Sequence, residues 1–137
     1  LFDHVASGGR VVAHNARFEI NIWRMMTARH GWPELRAEQV FDTMAMARAL
    51  SLPGGLGELV RALRLPVEKD DAGHRLMLKM CTPRKPRKGE PDGALLWHED
   101  PADLERLIAY CARDVETERE AFHALAKLAP REQALWI

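Results

Sequence analysis

The chain has 137 residues, which is enough for one domain but too few for two comfortable ones. Apolar residues make up 47% and charged residues 29% of it, the composition of a water-soluble globular protein. Twenty basic side chains balance twenty acidic ones, which excludes a polybasic protein that binds phosphate over its whole surface but leaves room for a local basic strip. The chain has no apolar run long enough to span a membrane and no secretory signal pattern.

The first quarter of the chain predicts a helix end, a strand and a second helix. Residues 1–9 are expected to end a helix at a Gly-Gly pair, and the β-branched run over 10–14 predicts a short buried strand. Asn15 can then cap a helix over about 16–30, which Gly-Trp-Pro ends.

A second strand–helix unit follows. Residues 40–42 predict another short strand, and Thr43 can cap the helix after it. Residues 51–55 form a Pro-Gly-Gly turn, after which helical spacing of leucines resumes over 56–65.

The second half of the chain is predicted to be mainly helical. A short helix is expected over 74–80, an exposed loop over 82–93, and a long helix from an Asp100 cap to about Leu128, followed by a last turn or helix from Pro130. The fold class is therefore α/β and helix-rich. Because two strands are too few for a sheet that covers its own edges, we expect the first strands to be missing.

Polar residues follow the first strand, where open α/β sheets bind ligands. Asn15 lies at the strand end, and Glu19 lies in the first turn of the helix, at the margin of a predicted apolar stripe: Phe18, Ile22, Met25 and Met26. A carboxylate at that margin can face a cleft. The alternative is that Glu19 only complements the helix dipole and Asn15 only caps the helix.

Tyr110 and Asp114 are four residues apart on the long helix, so they share one side of it. The predicted core stripe of this helix is a neighbouring set: Leu104, Leu107, Ile108, Cys111 and Val115. A phenol beside a carboxylate can hold a metal-bound water between them. The alternative is a half-buried tyrosine beside a solvated aspartate.

These stretches, in this order, resemble the 3′–5′ exonuclease domain of the DEDD superfamily, and most of all the proofreading domain of phage-type family A DNA polymerases. The resemblance rests on VVAHNARFE over 11–19, FDTMAMARALSLPGGLGELVRAL over 41–63 and YCARDVETE over 110–118. The family's second motif, Asn-x-x-x-Phe/Tyr-Asp, maps onto the first stretch. Its third motif, Tyr-x-x-x-Asp, maps onto the last and marks the tyrosine subclass.

Two further stretches carry the resemblance to the ends of the chain. Residues 69–76 resemble the phage-type spacer between motifs, and residues 132–136 resemble the start of a polymerase domain. The resemblance implies an incomplete RNase H-like exonuclease fold over 1–130, with 131–137 beginning the connection to a polymerase domain in cis.

The resemblance also implies a site for two Mg²⁺ or Mn²⁺ ions that hydrolyses DNA at a single-stranded 3′ end. Its catalytic residues would be Asp114 and Glu19, which ligate metal, and Tyr110, which orients the attacking water. Asn15, Phe18 and His14 would contact the substrate. Asp42 would support the metal ligands. From the sequence alone, His14 is also expected as a hydrogen-bonded core residue and Asp42 as a helix cap.

The chain departs from the family pattern in two ways. Glu19 stands where the family has Asp, and the first motif, Asp-x-Glu on a strand ahead of Val11, is missing. Two divalent ions about 4 Å apart repel by about 15–20 kcal/mol at an effective dielectric constant of about 20, and two carboxylates supply too little charge to offset this. We therefore expect an N-terminally truncated domain that is inactive or nearly so as this chain.

Several smaller signals leave alternatives open. The basic run over 84–88 can grip DNA phosphates or be a solvated loop, and Trp97 can line a cleft or lie in the core. Cys81 and Cys111 are expected to be free thiols, and the six histidines show no zinc-site spacing.

Three classes of function remain. The first is the proofreading exonuclease, in the cytoplasm of a bacterial or phage-infected cell. The second is a degenerate exonuclease domain that binds nucleic acid without catalysis. The third is a helical interaction module with accidental motif matches. Convergence of Glu19 with Tyr110 and Asp114 on one pocket would separate the first two from the third.

Overall fold

The computed structural model describes residues 1–67, 70–91 and 93–125. The fold is α/β and helix-rich, and it divides into two compact units, Leu1–Glu68 with Thr117–Ile137, and Lys69–Glu116. No helix in the described part of the chain is long and apolar enough to cross a membrane. The predicted domain boundary at residue 130, the helix from Pro130 and the polymerase-like tail lie outside the described residues.

The first unit is built on two parallel strands, β1 (Val11–Ala13) and β2 (Val40–Asp42). Val11 pairs with Val40 and Ala13 with Asp42, so both strands end at the same edge. A parallel pair needs a crossover, and helix α2 (Arg17–His30) supplies it. The sequence prediction of both strands is confirmed, although β1 is shorter at both ends than 10–14.

Helix α1 (Phe2–Ala6) precedes the sheet, as the sequence predicted, and α2 ends at Gly31 in the left-handed conformation, with φ of 65°. The predicted apolar stripe of α2 is wrong. Its buried residues are Ile20 and Trp23, and most of the stripe is exposed: Phe18, Ile22 and Met25. The larger indole of Trp23 decides which face is buried, since it packs edge-on against Trp32 and its ring nitrogen donates to the Pro33 carbonyl oxygen at 2.7 Å.

Helices α3 (Thr43–Ala49) and α4 (Leu56–Ala62) follow β2. Their buried side chains pack with the end of the long helix α6 (Pro101–Ala124) in one core cluster, whose fully buried members are Met46, Ala47, Leu59, Val60, Ala121 and Leu125. The apolar spacing over 56–65 thus predicted a real core helix.

The second unit contains helix α5 (Asp71–Met80) and the first part of α6. Helix α5 begins three residues earlier than predicted because the Asp70 carboxylate caps it, accepting the Gly73 backbone N–H at 2.8 Å. Helix α6 begins at Pro101 behind the expected Asp100 cap, which accepts the Ala102 N–H at 2.9 Å. The loop over 82–91 is largely exposed, as predicted.

The predicted core stripe of α6 is also wrong. Leu104, Ile108 and Val115 are each more than half exposed, whereas Tyr110 is buried. The helix turns its phenol side inward because the aromatic ring packs closely on the backbone of α5, as described below. Cys81 and Cys111 are free thiols, as expected, but Cys111 is exposed although it was predicted in the core stripe.

Candidate functional site

The edge where β1 and β2 end is organised by the Asp42 carboxylate. Its Oδ1 accepts the backbone N–H of Asn15 at 3.0 Å and of Met44 at 2.8 Å, and its Oδ2 accepts the N–H of Ala16 at 3.1 Å. A third bond to Oδ1 comes from the N–H of Ala45 at 3.3 Å. Asp42 therefore caps α3 and also holds the start of α2.

Two capping predictions are corrected by this arrangement. The N-cap of α3 is Asp42, not Thr43, and the N-cap of α2 is Ala16, with no side-chain cap from Asn15. Asn15 instead adopts a left-handed conformation with φ of 64°, which asparagine tolerates better than most residues. The acceptor that the sequence assigned to Asn15 is supplied by Asp42 from the neighbouring strand.

The other predicted residues of this edge lie close to Asp42 along the chain. His14 is half-buried, and its Nδ1 is 2.9 Å from the hydroxyl oxygen of the buried Thr43, which confirms it as a hydrogen-bonded residue. Asn15, Phe18 and Glu19 are exposed. The first unit thus brings His14, Asn15 and Asp42 together. The Asn15 amide, the Phe18 ring and the Glu19 carboxylate are exposed, so a ligand could reach them.

Tyr110 and Asp114 form a pair in the second unit. Tyr110 is 4% exposed and is the only tyrosine of the chain. Burial raises the pKa of its phenol, and a hydrogen bond to Asp114 and the negative charge of that carboxylate raise it further. The phenol is therefore neutral throughout the physiological range, with its hydroxyl held at the carboxylate.

A glycine allows the Tyr110 ring its position, and sequence analysis assigned this glycine no role. A Cβ added to Gly73 would lie 2.4 Å from Cδ2 and 2.7 Å from Cγ of Tyr110, so the ring rests directly on the α5 backbone. The Asp70 cap of α5 also forms an ion pair with Arg106, one turn before Tyr110 on α6. The pKa of Asp70 is lowered, first by the Gly73 N–H and then by Arg106.

No local sequence pattern marks this packing, because it joins residues more than thirty positions apart. The only available signal was a glycine and an acid inside the spacer that resembles the phage-type proteins. Together, Gly73, Asp70 and Arg106 fix the turn of α5 against which the phenol packs.

Asp114 carries a carboxylate oxygen that has no hydrogen-bond donor in the described part of the chain. Its Oδ1 is buried and accepts no hydrogen bond from any described residue. A buried carboxylate oxygen without a donor is costly, and a hard cation such as Mg²⁺ or Mn²⁺ would satisfy it. However, the described residues contain no group of three or more potential ligand side chains, so the donor set fits a divalent ion only in part.

The predicted site residues thus fall into two sets. His14, Asn15, Phe18, Glu19 and Asp42 belong to the first unit, and Tyr110 and Asp114 belong to the second. The convergence of Glu19 with the Tyr110–Asp114 pair on shared cations remains a prediction from the resemblance. For Asp42 the structure shows the capping role, and its support of a metal site also remains a prediction.

These observations define an α/β segment in which a buried tyrosine is paired with an aspartate whose Oδ1 is buried. The chain is similar to a DNA polymerase of Bacillus phage SP02, with 35% identity over 127 residues. The match covers 90% of this chain and 19% of the polymerase, so the chain spans about a fifth of the relative's length. No family model matches the chain, and no solved structure matches it.

Proposed function

We propose that this chain is part of a metal-dependent 3′–5′ exonuclease domain that removes nucleotides from single-stranded DNA ends for a phage-type DNA polymerase. The observation that carries the proposal is the Tyr110–Asp114 pair: a buried neutral phenol is hydrogen-bonded to a carboxylate whose other oxygen has no donor among the described residues. The similarity to a phage DNA polymerase supports the substrate class.

Phosphodiester hydrolysis needs an oriented water and stabilisation of the charge that develops on the phosphate. In this proposal, Asp114 and Glu19 would hold divalent ions, which would supply Lewis-acid activation of water and phosphate. The Tyr110 hydroxyl orients the attacking water, and its raised pKa keeps its proton in place at neutral pH.

The exposed residues at the strand edge receive the terminal nucleotide in this proposal. The Phe18 ring is 65% exposed and offers a face on which a base can stack. The Asn15 amide can hydrogen-bond the nucleotide, and His14 lies next to it on the chain, fixed by Thr43. Asp42 acts on this set indirectly, since it holds the backbone of Asn15 and Ala16.

The carboxylates Asp114 and Glu19 are too few to offset the repulsion between two divalent ions. We therefore propose that the 137-residue chain by itself binds one ion weakly and releases nucleotides slowly or not at all. The second candidate is a non-catalytic nucleic-acid-binding domain of the same ancestry, which is favoured by the lack of a three-ligand group among the described residues.

A Mn²⁺ titration with a matched control tests the proposal. Asp114→Asn should weaken Mn²⁺ binding by about ten-fold or more, equivalent to ~1.4 kcal/mol, because it removes the charged ligand. Glu105→Gln, an equal charge change at an exposed position of the same helix, should leave binding unchanged. Binding that is equal in both variants would remove the metal site, and with it the catalytic proposal. A binding loss that is specific to Asp114→Asn would favour the nuclease over the non-catalytic domain.

The same samples also test the expected inactivity. A 5′-labelled oligonucleotide incubated with the chain and Mg²⁺ should remain nearly full length. Rapid stepwise shortening from the 3′ end would contradict the account of an incomplete site.

A further inference from the structure

The basic loop over 84–88 is folded against the strand-like segment that carries Trp97. The Arg84 N–H donates to the Leu96 carbonyl oxygen at 2.8 Å, and Arg84 Nε donates to the Trp97 carbonyl oxygen at 3.0 Å. The Arg84 guanidinium also grips Glu90 through two bonds of 2.6 and 2.7 Å, while the Arg87 N–H donates to the same carboxylate. The loop therefore has a defined shape.

Of the four basic side chains over 84–88, only that of Arg84 takes part in this network. The hydrogen bond from Arg84 lowers the pKa of Glu90 to about 2, so the pair is fully ionised at neutral pH and Arg84 is neutralised. Lys85, Arg87 and Lys88 are exposed, and none forms an ion pair within 4 Å with another described residue. Three solvent-facing positive charges thus lie within four residues of a fixed loop.

Trp97 is 43% exposed, compared with 9% for the core Trp23. Arg87 and Trp97 line one small cavity of about 200 Å³, to which Glu99 and Asp100 also contribute. The two carboxylates repel phosphate, but they can accept hydrogen bonds from base amino groups. A nucleic-acid strand would therefore place a base at Trp97 and its phosphates along the outer cations.

From this juxtaposition we infer that Lys85, Arg87, Lys88 and Trp97 form a binding platform for single-stranded DNA, built from residues other than the proposed metal ligands. An exposed indole next to a short row of cations is how proteins bind unpaired strands without sequence preference, since every base can stack. In a duplex the base faces are already stacked, and an acidic peptide has no planar ring to match the indole. The choice of DNA as the ligand rests on the proposed function, but binding at the platform needs no divalent metal ion.

The magnitudes follow from this chemistry. One base stacked on an aromatic ring contributes about 1–3 kcal/mol, so Trp97→Ala should weaken binding at least about five-fold, and Trp97→Phe much less. Three phosphate contacts to a single strand predict a slope of about −2 for log affinity against log salt concentration. Lys85→Ala with Lys88→Ala should make that slope shallower by about 1.4.

The test is fluorescence anisotropy with a labelled oligothymidylate that has a blocked 3′ end, in EDTA, so that the metal site contributes nothing. The matched charge control is Arg29→Ala with Arg75→Ala, which removes two exposed arginines elsewhere, and Leu95→Ala is the control for loss of an exposed apolar side chain near Trp97. Both controls should keep wild-type affinity and salt slope. Circular dichroism should show that every variant is folded.

Three results would overturn the platform: no binding at low salt, Trp97→Ala binding as tightly as Leu95→Ala, or displacement of the oligonucleotide by poly-glutamate as readily as by unlabelled oligothymidylate. The outcome is independent of the Mn²⁺ titration. Loss of Mn²⁺ binding in Asp114→Asn together with unchanged DNA binding in Trp97→Ala would sink the platform and leave the exonuclease proposal intact. Unchanged Mn²⁺ binding in Asp114→Asn together with weakened DNA binding in Trp97→Ala would overturn the exonuclease proposal and leave the platform intact.

Discussion

Replacing Gly73 by alanine should destabilise the protein, against the usual effect of this change in a helix. Within a helix, alanine is favoured over glycine by about 1 kcal/mol. Here the new Cβ would lie 2.4 Å from Cδ2 of Tyr110, about 1.1 Å closer than the shortest comfortable contact of about 3.5 Å. Overpacking of this kind costs about 1–3 kcal/mol, so after the helix gain of about 1 kcal/mol we expect a net loss of up to about 2 kcal/mol in the free energy of unfolding.

A double-mutant cycle isolates the cause. In a Tyr110→Ala background the ring is gone and only the 2.8 Å approach of the new Cβ to Asp70 Oδ2 remains, so Gly73→Ala should cost less stability there than in the wild type. Urea unfolding of the four proteins gives the coupling energy, which we expect to equal the overpacking cost of the ring, about 1–3 kcal/mol. If Gly73→Ala changed stability by the same amount in both backgrounds, the close packing of the phenol on α5 would be refuted.

Three further predictions concern the Tyr110 phenol, the Asp42 caps and the Arg84–Glu90 pair. The phenol of Tyr110, the only tyrosine, should titrate above its ordinary value of 10 when followed by absorbance near 295 nm; Asp114→Asn should lower that pKa without restoring 10, since burial is its first cause. Because the unfolded phenol ionises first, the free energy of unfolding should fall as the pH rises above 10, and a midpoint at 10 would contradict the burial. Asp42→Ala should cost about 2–4 kcal/mol in urea unfolding, because four backbone N–H groups lose their acceptor, and Asp42→Asn should cost less; equal stability of both variants and the wild type would refute the capping role. The Arg84–Glu90 pair should contribute stability above pH 4.5 that is lost as the pH falls towards 2, and Glu90→Gln should remove that part of the acid dependence; an unchanged acid profile would show that the pair contributes nothing.

Local signals predicted the elements well. The Val-Phe-Asp run became β2, Gly31 ended α2 in the left-handed conformation, and Asp100 followed by Pro101 began α6. Each of these features is decided by a few neighbouring residues, through backbone preference or a capping side chain. Strand β1 is shorter than the predicted 10–14, because only three of its residues pair with β2.

Helix faces could not be predicted in the same way. Both α2 and α6 carry a regular apolar stripe that the structure leaves largely exposed, including Phe18 and Ile108. Periodicity shows that an apolar stripe exists, but which helix face is buried depends on the packing partners that the rest of the chain supplies. For Trp23 the partners are other aromatic rings, and for Tyr110 the partner is a bare stretch of backbone at Gly73.

The candidate site was predictable to a similar degree. The spacing of Tyr110 and Asp114 predicted a pair, and the interaction with the Asp114 carboxylate helps to raise the pKa of the Tyr110 phenol. The spacing did not predict that the phenol is buried or that Asp70 and Gly73 fix its position, because those contacts join residues on either side of the loop between α5 and α6. Likewise, Asn15 carried the local capping signal, but the acceptor came from Asp42, twenty-seven residues away.

The proposed function assigns Glu19 and Asp114 as metal ligands, and Mn²⁺ binding to four proteins tests that proposal most directly: the wild type, Glu19→Gln, Asp114→Asn and the double variant. If both carboxylates ligate one ion, each single change should lower the affinity about ten-fold or more, and the double variant should be weaker by much less than the product of the two effects. Affinity that is unchanged in Glu19→Gln, while it falls in Asp114→Asn, would contradict the proposed role of Glu19.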